Sequence, residues 1–167
     1  MKTCKNLISL ILIAVIAAAC TSSGTPTQQD EPTEAESARK TLIQFFEQLN
    51  AGQYDKAAEL YGGGYEVMIE HNPSLDAEDH AALFQAACQI NGAQCLKVKS
   101  AVLQTEADPS QYTFLVEFSN PDGSLFVQGP CCGGNETDFP PESQFPFRVV
   151  KDAKGKFTVM DMPVYTP

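Results

Sequence analysis

Near residue 91 the hydrophobic period of this chain changes from the helical repeat to the strand repeat, and that switch restricts the fold more than any other feature. Before it, Ala38, Leu42, Phe45, Phe46 and Leu49 recur at helical spacing, Thr33 and Glu36 form a capping box, and Gly52 ends the run. Asp55 to Tyr61 reads as a second, shorter helix. Gly62-Gly63-Gly64 must stop it, because three glycines carry a large backbone entropy cost in any helix. A third helix starts near Asp76 or Asp79, runs through Ala82, Leu83, Phe84, Ala86 and Ala87 to about Ile90, and stops at Asn91-Gly92.

Beyond the switch, Leu96, Val98 and Val102 alternate with Lys97, Lys99 and Leu103. Tyr112, Phe114, Val116 and Phe118 alternate with Thr113, Leu115 and Glu117. Pro121-Asp122-Gly123 is a turn signal leading to a strand at Ser124 to Gln128. Phe145, Phe147 and Val149 lead through Asp152-Ala153-Lys154-Gly155 into Phe157, Val159 and Asp161, a hairpin. The loop from Gly129 to Gln144 is too long for a simple hairpin connection. Helices first and a meandering sheet afterwards predict an α+β domain, three N-terminal helices covering one face of a curved antiparallel sheet.

The segment before this domain is of a different kind. TSSGTPTQQDEPTEAE, directly after Cys20, holds no large apolar residue and reads as a flexible tether. Upstream, Lys2 and Lys5 precede an apolar run from Leu7 to Ile16 broken only by Ser9, and Ala17-Ala18-Ala19 are the small residues a signal peptidase reads. The organisation is therefore a signal over 1–19, a tether over 20–35 and one domain over 36–167. An ordinary secretory signal or an uncleaved helix are the alternatives, the apolar run being short of the roughly 20 residues that span a bilayer.

Small residues ending in cysteine resemble the bacterial lipoprotein signal, in which the cysteine sulfur receives a diacylglyceryl group and the chain is cut just before it. Ala17 stands where that family usually has Leu, Val or Ile. The resemblance implies a chain fixed through Cys20 to the extracytoplasmic side of a bacterial membrane, the outer one where the cell has two. Residues 1–19 hold two of the 11 basic residues and none of the 21 acidic ones, so the rest of the chain carries a net charge of −12. That charge repels phosphate backbones and anionic headgroups, which excludes nucleic-acid binding and leaves a covalent anchor as the membrane contact.

A second likeness covers nearly all of residues 36–165. FFEQLNAGQYDKAAELYGG (Phe45 to Gly63), ACQINGAQC and the strand order resemble the nuclear-transport-factor-2-like, cystatin-related fold, in particular its small lipoproteins of unknown function. The resemblance implies a cone between helices and sheet, and some members of that superfamily are isomerases while others bind or dimerise. Fold alone does not choose between them.

Four cysteines lie in the domain. Cys88 at a helix end and Cys95 at a strand start bracket a short turn, so their pairing would staple it, whereas Cys131 and Cys132 have several possible connectivities. A metal or redox centre is the competing reading of these thiols with His71 or His80. Adjacent cysteines lack the spacer that aims two thiolates at one ion, the histidines share no helix-face spacing, and no cofactor or metal is expected. His80 reads as a solvated helix-start residue.

An isomerase-like site needs an acid or base inside the cone. The inward face is built from Phe and Val, interrupted only by Tyr112 and Asp161, both expected at its solvated rim. The outer sheet face mixes Leu115, Phe126, Val150, Met160 and Met162 with polar residues and reads as a homodimer surface, with the Gly129–Gln144 loop as a second contact. Asn135-Glu136-Thr137 forms a glycosylation sequon that is accidental in a bacterial chain. The expectation is a lipid-anchored, non-catalytic binding or interaction module facing an envelope protein or an apolar small molecule. The alternative is a small extracytoplasmic enzyme, isomerase- or hydrolase-like, working in an apolar cone-shaped pocket.

Overall fold

The first helix is fixed by its own first turn. Thr33 Oγ1 accepts from the Glu36 amide at 3.2 Å and Glu36 Oε2 accepts from the Thr33 amide at 2.9 Å, so two orphan donors are satisfied reciprocally. Helix α1 (Glu34–Asn50) then buries Ala38, Leu42, Phe45, Phe46 and Leu49 along one stripe. It begins at Glu34, so the last two residues of the stretch read as tether are helical. The computed structural model describes residues 33–166 except 109, 131–133, 138 and 139, and for 105–108 the backbone alone. The segments read as signal and tether, with Cys20, Cys131 and Cys132, lie outside the described residues.

Helix α2 (Tyr54–Glu59) ends two residues earlier than its apolar pattern suggests. The reason is tertiary. The Gly62 amide donates to Val159 O and the Val159 amide to Leu60 O, both at 2.8 Å, so Leu60 to Gly62 run beside a strand instead of continuing the helix. Helix α3 (Glu66–His71) has no counterpart in the three-helix expectation. It buries only Met68 and has no side-chain cap, too little periodicity for a six-residue segment to announce itself. Helix α4 (His80–Gln89) starts where Asp79 Oδ1 accepts from the Ala82 amide at 3.0 Å and buries Leu83, Phe84, Ala86 and Ala87.

Four strands follow as an antiparallel meander, β1 (Lys97–Asp108), β2 (Gln111–Ser119), β3 (Phe145–Lys151) and β4 (Phe157–Val159), in the order β1-β2-β3-β4. The architecture is thus α+β, with an open sheet and four helices. Tyr112, Phe114 and Val116 of β2 are buried and pair with the buried Val149, Phe147 and Phe145 of β3, and Phe118, opposite Val98 of β1, is buried on the same face, so strict alternation sets one apolar face. The expected strand at Ser124–Gln128 does not form. Asn120–Gly123 turns the chain, Leu125 bridges Ser119, and then Gln128 switches partner to Glu142. A segment that changes partner within four residues cannot propagate a ladder.

Helix α1 packs on the buried face, where Phe46 meets Phe118 at 4.8 Å and Phe147 at 5.0 Å between ring centroids. Phe45, Tyr61 and Phe84 extend the aromatic cluster towards α2 and α4. Among the described residues no polar or charged residue is buried, so the space between helices and sheet is a packed aromatic core.

Candidate functional site

Tyr112 and Asp161 are not brought together. Tyr112 is 2% exposed, and its hydroxyl donates to Glu34 Oε2 at 3.4 Å. Glu34 also takes the Lys151 ammonium, and that hydrogen bond holds its carboxyl below the usual range. Asp161 stands on the other side of the sheet from the buried side chains of Phe147 and Val149. Its Oδ2 accepts from the Arg148 amide at 2.6 Å and its Oδ1 from Arg148 Nη2 at 2.5 Å. Strand β4 stops at Val159, so the alternation that would have turned Asp161 inward has already ended.

The histidines occupy separate places. His80 opens α4 and its ring lies on Tyr65, centroids 3.8 Å apart and planes within 7°, so it is stacked and half-buried where the sequence suggested a solvated residue. Burial pushes the Tyr65 phenol up to about 12 and raises Tyr61 further, with the charges of Tyr65, Asp161 and Glu66 adding to the latter. Neither phenol supplies a base near neutral pH. Among the described residues no three His, Cys, Asp or Glu side chains converge as a metal site would require, and no helix there is long and apolar enough to cross a membrane.

What the fold does build is a crevice of about 200 Å³ at the edge of the core. Helix α3 contributes Val67, Met68 and His71; the segment after β4 contributes Met162, Pro163 and Tyr165; Asn91 and Ala93 form the floor from the α4–β1 turn. A shallower recess beside it shares His71, Asn91 and Tyr165 and adds Ile90, which is 78% exposed. The walls are tied by specific bonds. Ala93 bridges Tyr165, the Gln94 amide donates to Val164 O at 2.7 Å and the Thr166 amide to Gly92 O at 3.0 Å. Asn72 Nδ2 donates to both Met68 O and Asn91 Oδ1, fastening α3 to the turn.

Cys88 and Cys95 close this turn as a disulfide with Cα atoms 5.6 Å apart. The bridge therefore fixes the turn that carries Asn91 and Ala93. Inside the crevice the imidazole of His71 faces the Tyr165 ring at 6.0 Å and makes no hydrogen bond among the described residues. The chemistry available is burial of an apolar group beside one imidazole and one amide.

Sequence reasoning missed this place because α3 was unread and Met162 was assigned to the outer sheet face, whereas it is partly buried against the core and lines the crevice. The Val67-Met68-Ile69 triplet after the glycines and the Met162-Pro163-Val164-Tyr165 cluster at the chain end were the available signals. Compared with known proteins, the chain matches no family model, no curated protein and no solved structure.

Proposed function

We propose that this chain is a lipid-anchored, non-catalytic binding module of the bacterial cell envelope. Its head receives an apolar side chain of an envelope protein in the crevice between α3, the α4–β1 turn and the segment after β4. The observation that carries this reading is the crevice itself, whose wall residues Val67 and Tyr165 are about half exposed although both are large and apolar. Its volume of about 200 Å³ falls below the few hundred Å³ of most small-molecule sites and suits one side chain. The packed aromatic interior supports a binding rather than a catalytic reading, since among the described residues no carboxylate or imidazole is buried in it and its phenol Tyr61 is held protonated. Anchoring rests on the Leu7–Ile16 run and Ala17-Ala18-Ala19-Cys20. The finer assignment to the nuclear-transport-factor-2-like group rests on the FFEQLNAGQYDKAAELYGG opening and on helices covering a single sheet face.

Two measurements test the proposal. Cys20→Ser is expected to release the protein from the membrane fraction, and mass spectrometry of the native chain to find an acylated Cys20; retention of residues 1–19 refutes the anchor. In NMR titrations with N-acetyl-tryptophanamide, shifts are expected to concentrate on Met68, Ala93 and Met162, and Val67→Glu to weaken binding about tenfold by placing a charge on the wall. Shifts elsewhere, or indifference to Val67→Glu, refute the site.

A further inference from the structure

The two edges of the sheet are treated differently. On β4 the chain itself supplies a covering, because Leu60 and Gly62 hydrogen-bond to Val159. On β1 no backbone bond among the described residues reaches the far edge, although the strand is 12 residues long, about twice the usual length. An open edge of that length is a template for another strand.

The residues along it decide what kind of strand. An edge guarded against pairing carries its charges at the centre, yet here the centre is Val102, 63% exposed, beside Leu103, 40% exposed. The charges sit at the ends and have opposite signs: Lys97 and Lys99 open the strand, Glu106 and Asp108 close it. A strand polarised in this way is complementary to itself when reversed. By contrast, the middle of the outer sheet face is crossed by polar pairs, Glu117 with Ser100 and Gln144, and Arg148 with Asp161.

We infer that β1 pairs antiparallel with β1 of a second copy, joining two four-stranded sheets edge to edge. Such a pair has its two-fold axis perpendicular to the sheet, so each face continues into the same face of the partner and only residues of one face can stand opposite each other. Val102 lies opposite Leu115 of β2, on the outer face, while Ala101 and Leu103 lie opposite Val116 and Phe114, on the helix side. The register centred on Val102 meets this condition. It sets Val102 against Val102 and Ala101 against Leu103, and it lays the basic end of each strand along the acidic end of the other. Irregularities after Val98, Leu103 and Glu106 limit continuous pairing to the centre, so the contact is small and the dimer dissociates in the micromolar range.

The test uses the full chain purified in detergent. Val102→Cys is expected to give a disulfide-linked dimer under mild oxidation, because Cα atoms across an antiparallel pair are about 4.5 to 5.5 Å apart. Thr113→Cys, in the middle of the outer face, is expected not to cross-link beyond the wild-type level. Sedimentation velocity is expected to show a wild-type dimer that Lys97→Glu weakens about three- to tenfold and that Lys97→Glu with Asp108→Lys restores. A wild-type monomer overturns the inference, whether the edge is bare or covered by the chain's own N-terminal residues. Cross-linking at Thr113→Cys but not at Val102→Cys overturns it in favour of face-to-face association, and unchanged dimerisation in Lys97→Glu overturns the register.

Discussion

Replacing Gly92 by alanine adds one methyl group at the point where the chain end is seated on the α4–β1 turn. Gly92 has a φ of +87°, a conformation that costs a residue with a side chain about 1 to 2 kcal/mol. The added Cβ would also lie 2.3 Å from the carbonyl oxygen of Thr166, a backbone atom that cannot rotate away. The segment after β4 must move, which breaks the Thr166 amide bond to Gly92 O and stretches the 2.7 Å bond from the Gln94 amide to Val164 O. At about 1 kcal/mol net for each bond, the total loss is about 2 to 4 kcal/mol. Gly123→Ala is the matched control, since Gly123 has a φ of +84° but a methyl group there would meet nothing within 4 Å. Its cost is the backbone term alone, and the gain from a stiffer unfolded chain is common to both variants and cancels. Urea denaturation of the two variants is therefore expected to differ by about 1 to 2 kcal/mol, with faster hydrogen exchange at the Gln94 amide in Gly92→Ala. Equal stabilities within about 0.5 kcal/mol would refute the claim that this close approach holds the crevice wall.

Two further outcomes are expected. Cys88→Ala with Cys95→Ala removes a cross-link of sequence separation 7, worth about 2 to 3 kcal/mol by loop-closure entropy, while the turn's own hydrogen bonds keep the folded geometry; a loss under about 1 kcal/mol in urea denaturation contradicts this. Glu34, Asp122 and Asp152 have folded-state pKa values lowered by Lys151, by Ser124 and by the Lys156 amide respectively, so the unfolded chain takes up their protons first. Their stabilisation is present above the ordinary carboxylate range and is lost as pH falls through the folded values, so Tm should drop below about pH 4 and the drop should flatten in Glu34→Gln with Asp152→Asn. A Tm that is level through this range counts against it.

Where an element carries its own signal, the linear reading locates it. Helix α1 declares itself through Thr33, Glu36 and five apolar residues at one spacing, and β2 through an unbroken alternation from Tyr112 to Phe118. Asp79 does the same for α4 by capping it. Helix α3 fails this condition, because six residues with one buried side chain carry no period. Ser124–Gln128 fails in the opposite direction: its residues favour a strand, but the ladder depends on whether Ser119 and Glu142 offer one continuous partner.

Helices before strands, the apolar face of the sheet and the turn that Cys88 and Cys95 bracket are all legible in the linear chain, because each depends on residues within a few positions of one another. Tertiary packing alone joins Asp161 to Arg148 and Tyr112 to Glu34, 78 positions away, so the two candidates are not brought together. It also decided that His71, Asn91 and Tyr165 share one crevice. These residues follow no common period, and they meet because Gly92 and Gln94 hydrogen-bond to Thr166 and Val164, seventy or more positions beyond them.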